Sequence, residues 1–204
     1  MDQMARLLKR DYKLFLLMVG LFLLGIWIGD ALLTFSPKLS QQLIDETMKK
    51  FAEIARRIKG APFYAQVYAI WLNNILASLL VAVWGALIPL IPLGSVFMNG
   101  VIIGVFQNYT ALHTGLDPAH FFLSLVPHGL LEIPAFAIAM GLAFRLGTIP
   151  YRLLWNYYRR KEYLPLFREF FADLRYYGVL VVVLFTLAAV IEVGISPYLL
   201  LRLK

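Results

Sequence analysis

The sequence predicts an all-α fold: a polytopic membrane protein with about five transmembrane helices plus amphipathic interfacial helices. Three observations carry this. Hydrophobic residues make up 61% of the 204 and charged residues only 15%, a balance that no soluble domain of this length needs. The apolar residues gather into runs that reach the ~20 residues a bilayer-crossing helix requires. One segment, 36–59, instead alternates apolar and charged residues with a helical period. No internal repeat or low-complexity linker divides the chain, so residues 1–204 read as a single integral membrane domain.

The first run, 14–33, follows Arg6, Lys9, Arg10 and Lys13. It exceeds the ~7 to 15 residues of a signal-peptide core and no small-residue cleavage site follows, so a retained first span starting in the cytoplasm is expected. Gly25 and Gly29 form a G-x-x-x-G pair in it, which reads either as a close helix contact or as incidental glycine. In 36–59, Leu43, Ile44, Met48, Ile54 and Ile58 share a face opposite Lys49, Lys50, Glu53 and Arg56. Ser36 is placed to cap this helix, Pro37 suits its first turn and Gly60 ends it. It should lie on the membrane surface or pack on a partner, and not span.

Residues 61–112 contain no Asp, Glu, Lys or Arg and are long enough for two spans, broken into a hairpin at Pro89, Pro92 and Gly94. Asn73 and Asn74 fall in the first of these spans, and Asn99, Gly100, Gly104 and Gln107 in the second. Buried asparagines in lipid serve as interhelical hydrogen-bonding groups or as ligand contacts, and Gly100 with Gly104 again suits close packing. The following loop, HTGLDPAH, gathers His113, Asp117 and His120, but exposed loop histidines are usually solvated. A fourth span covers 121–146. Residues 150–176 combine Arg152, Trp155, Tyr157, Tyr158, Arg159, Arg160 and Lys161 with Phe167, Arg168, Phe170, Phe171 and Arg175, the composition of a basic aromatic interfacial segment. The fifth span is 177–195.

The candidate site is the stretch VPHGLLEIPA at 126–135. His128 and Glu132 stand one helical turn apart in an apolar run, where an ionisable group costs ~2.5 to 3.5 kcal/mol on insertion scales and needs a partner or a cavity. Pro127 and Pro134 flank them, so a bent or broken helix with freed carbonyls is expected. Glu192 is a second carboxylate inside an apolar helix. Asn73, Asn74, His128, Glu132 and Glu192 therefore form the expected intramembrane polar cluster, in the outer half of the bilayer if the amino terminus is cytoplasmic. Asn99 is expected in the inner half, away from them. Arg145, ~20 Å from Glu132 along a straight helix, is too far to be its counter-charge.

The chain resembles the stage II sporulation protein M family of integral membrane proteins. The matching residues are PHGLLEIPA at 127–135, GLAFRLG at 141–147, WLNN at 71–74, MNGVIIG at 98–104 and AAVIE at 188–192. The resemblance implies a multi-pass cell-membrane protein without an established enzymatic activity. In spore formers it implies the membrane part of a wall-remodelling machine that recruits extracytoplasmic wall hydrolases during engulfment. The 36–59 segment lies outside these motifs.

Composition narrows the functions further. The absence of cysteine excludes disulfides, thiol catalysis and thiolate metal sites. The net charge of +7 sits beside apolar spans, where membrane lipids are the nearer partner, and nucleic-acid binding is not expected. No HExxH, G-x-S-x-G or Walker motif is present, so no catalytic residues are assigned and neither a cofactor nor a metal is expected. A non-enzymatic scaffold recruiting extracytoplasmic or membrane protein partners fits best. A transporter or permease component with an intramembrane polar site is the alternative. An intramembrane metal-dependent enzyme using His128, Glu132 and Glu192 comes third. The two glycine pairs also suggest a homo-oligomer, a homodimer in the simplest case.

Overall fold

A computed structural model of the chain describes residues 2–114, 117–159 and 164–195, and those residues are helical apart from short connections. The helices are α1 (Asp2–Phe35), α2 (Pro37–Ile58), α3 (Phe63–Leu87), α4 (Leu90–Thr114), α5 (Pro118–Tyr158) and α6 (Leu164–Gly194). Five of them, all but α2, contain a stretch long and apolar enough to cross a membrane. The chain is thus a multi-pass helical membrane protein. Gly60, at φ +75°, makes the left-handed turn between α2 and α3, a conformation open to glycine at no side-chain cost.

The tightest packing joins α1 to α4. Gly25 and Gly29 face the backbone of Phe97 and Val101, while Gly100 and Gly104 face the carbonyl oxygens of Phe22 and Ile26. Both series step by four, and residue numbers rise together along the two helices, so α1 and α4 run parallel. Asn108 continues the register by donating from Nδ2 to the Asp30 carbonyl at 2.7 Å. In lipid, where burying apolar surface gives helices no advantage, close van der Waals contact and interhelical hydrogen bonds must hold them together. The glycine pairs supply that contact inside one chain, so the homodimer expected from them loses its structural ground.

Parallel α1 and α4 also define what α2 does. With α3 and α4 joined by a tight hairpin at Ile88 and Pro89, α3 must run opposite to both, so the chain leaves α1 and enters α3 on the same side. Accordingly α2 does not cross. Nor does it rest free on the surface: Ile44 is buried against Val101 and Val105 of α4, and Ser40 is buried as well. Ser36 stands at the N-cap position, but its side chain makes no capping hydrogen bond.

Two boundaries differ from the sequence reading. Pro127, Pro134 and Pro150 all lie inside an unbroken α5, because packed neighbours in a membrane bundle tolerate the missing hydrogen bonds. The segment 150–176 is divided between two helices: α5 continues to Tyr158 and α6 begins at Leu164, so its described aromatic and basic residues stand on the ends of these helices. Residues 160–163 and 196–204, with Arg160, Lys161, Ser196 and Pro197, lie outside the described residues. Trp155 carries Arg159 over its ring at 4.4 Å, and Tyr176 carries Arg175 at 5.0 Å.

The seam makes an unequal prediction for glycines of one helix. A Cβ at Gly29 would meet the Val101 backbone, which cannot swing aside, whereas a Cβ at Gly20 meets nothing within 4 Å. Gly29→Ala should lower stability by about 1 to 3 kcal/mol, the range of core overpacking, and Gly20→Ala should be neutral or stabilising. Thermal unfolding of both variants in one detergent checks the contrast.

Candidate functional site

A cavity of about 540 Å³ lies between α1, α3, α4 and α5, with Phe185 of α6 also in its lining. Its polar lining is Asn73 and Asn74 from α3, Ser95 and Asn99 from α4, and His128 and Glu132 from α5. Aromatic rings of Phe22, Phe122, Phe136 and Phe185 line much of the rest. The cavity exists because its walls are spoken for elsewhere. α4 is drawn onto α1 by the glycine seam, whereas α3 packs chiefly on α5 and α6. Near their hairpin α3 and α5 are held close, since Gly147 lies on the Gly85 backbone. Above that point α3 and α4 diverge and leave the space between them.

Glu132 is partly buried and accepts a hydrogen bond from Asn74 Nδ2 at 3.1 Å, linking α5 to α3. Asn73 is exposed at the rim and donates to Asn74 Oδ1 at 3.5 Å. Asn99 is exposed on the opposite wall, its Nδ2 turned back to the Ser95 carbonyl at 2.9 Å. Leu130 and Val126, apolar and exposed at the same opening, show that it faces lipid. Pro134, also in the lining, has no N–H to offer the Leu130 carbonyl four residues back, so a backbone acceptor is freed there.

Four of the five expected cluster residues, Asn73, Asn74, His128 and Glu132, thus meet in one cavity. Glu192 is not in its lining, but it is partly buried on α6 and close enough to Glu132 to interact electrostatically. Asn99 was expected too deep to join them, and the structure corrects this. At ~1.5 Å per residue it stands ~14 Å above the α3–α4 hairpin, and Asn74 ~20 Å above it, so the two are nearly level. Among the described residues no group of three or more His, Asp or Glu side chains is placed to hold a metal ion, and His128, Glu132 and Glu192 are not gathered into a ligand set. The histidines expected in a loop are helical: His113 lies in the last turn of α4 and stacks on Tyr109 at 4.0 Å, His120 lies in the first turn of α5, and Asp117 caps α5 by accepting from the Ala119 N–H at 2.7 Å.

At the other end of α5, Arg145 has the partners that its position demands. Its guanidinium donates to Asp11 of α1 at 3.1 Å and to Asp173 of α6 at 2.8 Å. Arg10 bridges the same two carboxylates at 2.6 Å each. Tyr177, fully buried, donates its hydroxyl to Asp11 at 2.9 Å and meets Phe15 edge-on. Sequence reasoning missed this cluster. The signal was available: an arginine inside an apolar helix requires carboxylates, and Asp11 and Asp173 are the acids at the ends of neighbouring spans.

Five helices able to cross a membrane, an apolar core, a cavity with a few polar groups in its lining and an ion-pair clamp at one end define a multi-pass helical membrane protein. The chain belongs to the family described as stage II sporulation protein M, whose model matches residues 15–197, α2 included. No curated protein and no solved structure matches the chain.

The clamp predicts an asymmetry. Arg145→Met leaves two carboxylates facing one exposed arginine and should cost about 3 kcal/mol, the lower end for breaking a buried ion pair. Adding Asp173→Asn to that variant should recover part of the loss, as read from unfolding midpoints.

Proposed function

We propose that the chain is a non-enzymatic scaffold of the cell membrane that recruits partner proteins on the side where α2 lies. The observation that carries this reading is how α2 is fixed. Ser40 and Ile44 are buried against the bundle, while Lys38, Asp45, Glu46, Lys49, Lys50, Glu53 and Arg56 are exposed. A helix pinned along one seam presents its charged face at low entropic cost, as a preorganised recruiting surface should. The family supports the reading, because its members in spore formers are expected to gather wall hydrolases outside the cell. With the basic amino terminus in the cytoplasm, α2 lies on that outer side.

A second reading, a transporter or permease component, is favoured by the cavity, since ionisable residues in a mid-bilayer cavity are the usual substructure of a transport path. The two readings separate by experiment. Reversing Lys49, Lys50 and Arg56 to Glu should abolish crosslinking between α2 and its partner in native membranes. The unfolding free energy should stay within about 0.5 kcal/mol of the parent, as for ordinary surface substitutions. Retained crosslinking would overturn the scaffold role assigned to α2, and solute uptake by the purified chain in proteoliposomes would establish the second reading in its place.

A further inference from the structure

The cavity has a chemistry that the scaffold reading does not use. Its carboxyl group is Glu132, no Lys or Arg lines it, and Glu192 places a second carboxyl within electrostatic reach. An anionic head group would meet the Glu132 carboxyl there with no Lys or Arg to offset it, and His128, the basic side chain in the lining, stands one helical turn from that carboxyl. Acceptors are at hand instead: the Glu132 carboxyl and the side-chain oxygens of Asn73 and Asn99, whose Nδ2 groups already donate to Asn74 and to the Ser95 carbonyl. An ammonium group has three donors and no acceptor, which matches this inventory. Phe22, Phe122, Phe136 and Phe185 stand in the same lining, and an aromatic ring attracts a cation that lies over its face.

Size and opening define the rest of the ligand. A volume of about 540 Å³ lies in the ordinary range of small-molecule sites. The rim residues Val126 and Leu130 are apolar and exposed at bilayer depth, so access is sideways from lipid. We propose that the cavity binds a membrane amphiphile through a primary amine head, with the amine against Glu132 and the chain leaving past Leu130 into the bilayer. The amine and the carboxyl share one proton, whether as ammonium and carboxylate or as amine and acid, so the pair brings no net charge into the membrane. This proposal is independent of the recruiting role of α2.

The test uses the full chain in phosphatidylcholine vesicles, with a dodecylamine carrying a mid-chain diazirine and the corresponding dodecanoic acid and dodecanol as comparators. On illumination the amine should label peptides of α3 and α5 that line the cavity about tenfold more than either comparator, the ratio that ~1.4 kcal/mol of preference gives. Glu132→Gln keeps an acceptor for Asn74 and should reduce the amine to the level of the alcohol, with folding verified by circular dichroism and gel filtration. Ala77→Trp, a substitution at an exposed lining position, should abolish cavity labelling by filling the space while labelling of the outer lipid-facing surfaces persists. Equal labelling by acid or alcohol, an amine preference that survives Glu132→Gln, or cavity labelling that survives Ala77→Trp would each overturn the proposal.

Discussion

The fold depends on one arginine held between two aspartates. Arg145 reaches Asp11 on α1 and Asp173 on α6 from its own place on α5, so the first helix and two consecutive later ones meet at a single guanidinium. Charges removed from water are costly, and the arrangement is tolerable because two arginines oppose two aspartates and every carboxylate is hydrogen-bonded. Tyr177 seals the inner face of the cluster against the apolar core that begins at Phe15 and Leu142. A planar guanidinium with donors in a fixed fork suits this task, which a lysine ammonium would not perform with the same geometry. Because the cluster sits at one end of the spans, it fixes the depth of α1, α5 and α6 relative to one another.

Two different glues then divide the bundle. Glycines bring α4 onto α1 at backbone contact, and the charge clamp brings α1 to α5 and α6. α3 is attached to this assembly by Gly147 against Gly85 near the hairpin and by Asn74 with Glu132 further along. The space between α3 and α4 follows from that division of labour. Polar groups collect around it because it is where neighbouring helices do not touch, and side chains that would be costly facing hydrocarbon find one another there.

Much of this was legible in the sequence. The five spans, the non-spanning amphipathic segment and the tie between WLNN and PHGLLEIPA follow from run length, period and the expense of His128 and Glu132 in lipid. The glycine pairs were legible as contact surfaces, but a small-residue pattern does not say which helix it meets, and the answer was the other pair in the same chain. Asn99 was expected in the inner half, whereas α4 starts at Leu90, before Pro92 and Gly94, and so carries Asn99 into the cavity lining. Asp11 and Asp173 went unnoticed because each lies among basic and aromatic residues that already had an explanation at the membrane surface. A local reading of composition absorbed two acids whose purpose is a long-range contact.

The parallel pairing of α1 and α4 also sets an order of construction. Gly25 and Gly29 leave the ribosome long before Gly100 and Gly104, and at ~5 to 20 residues per second the interval is several seconds. During it α1 is in the bilayer with its glycine face uncovered, and neither α2 nor α3 can occupy that face without blocking α4. The helix that completes the seam arrives only after the amphipathic segment has been left on one side and α3 has crossed. α1 is thus inserted well before α4, and one of its main contacts is closed only once the hairpin has formed.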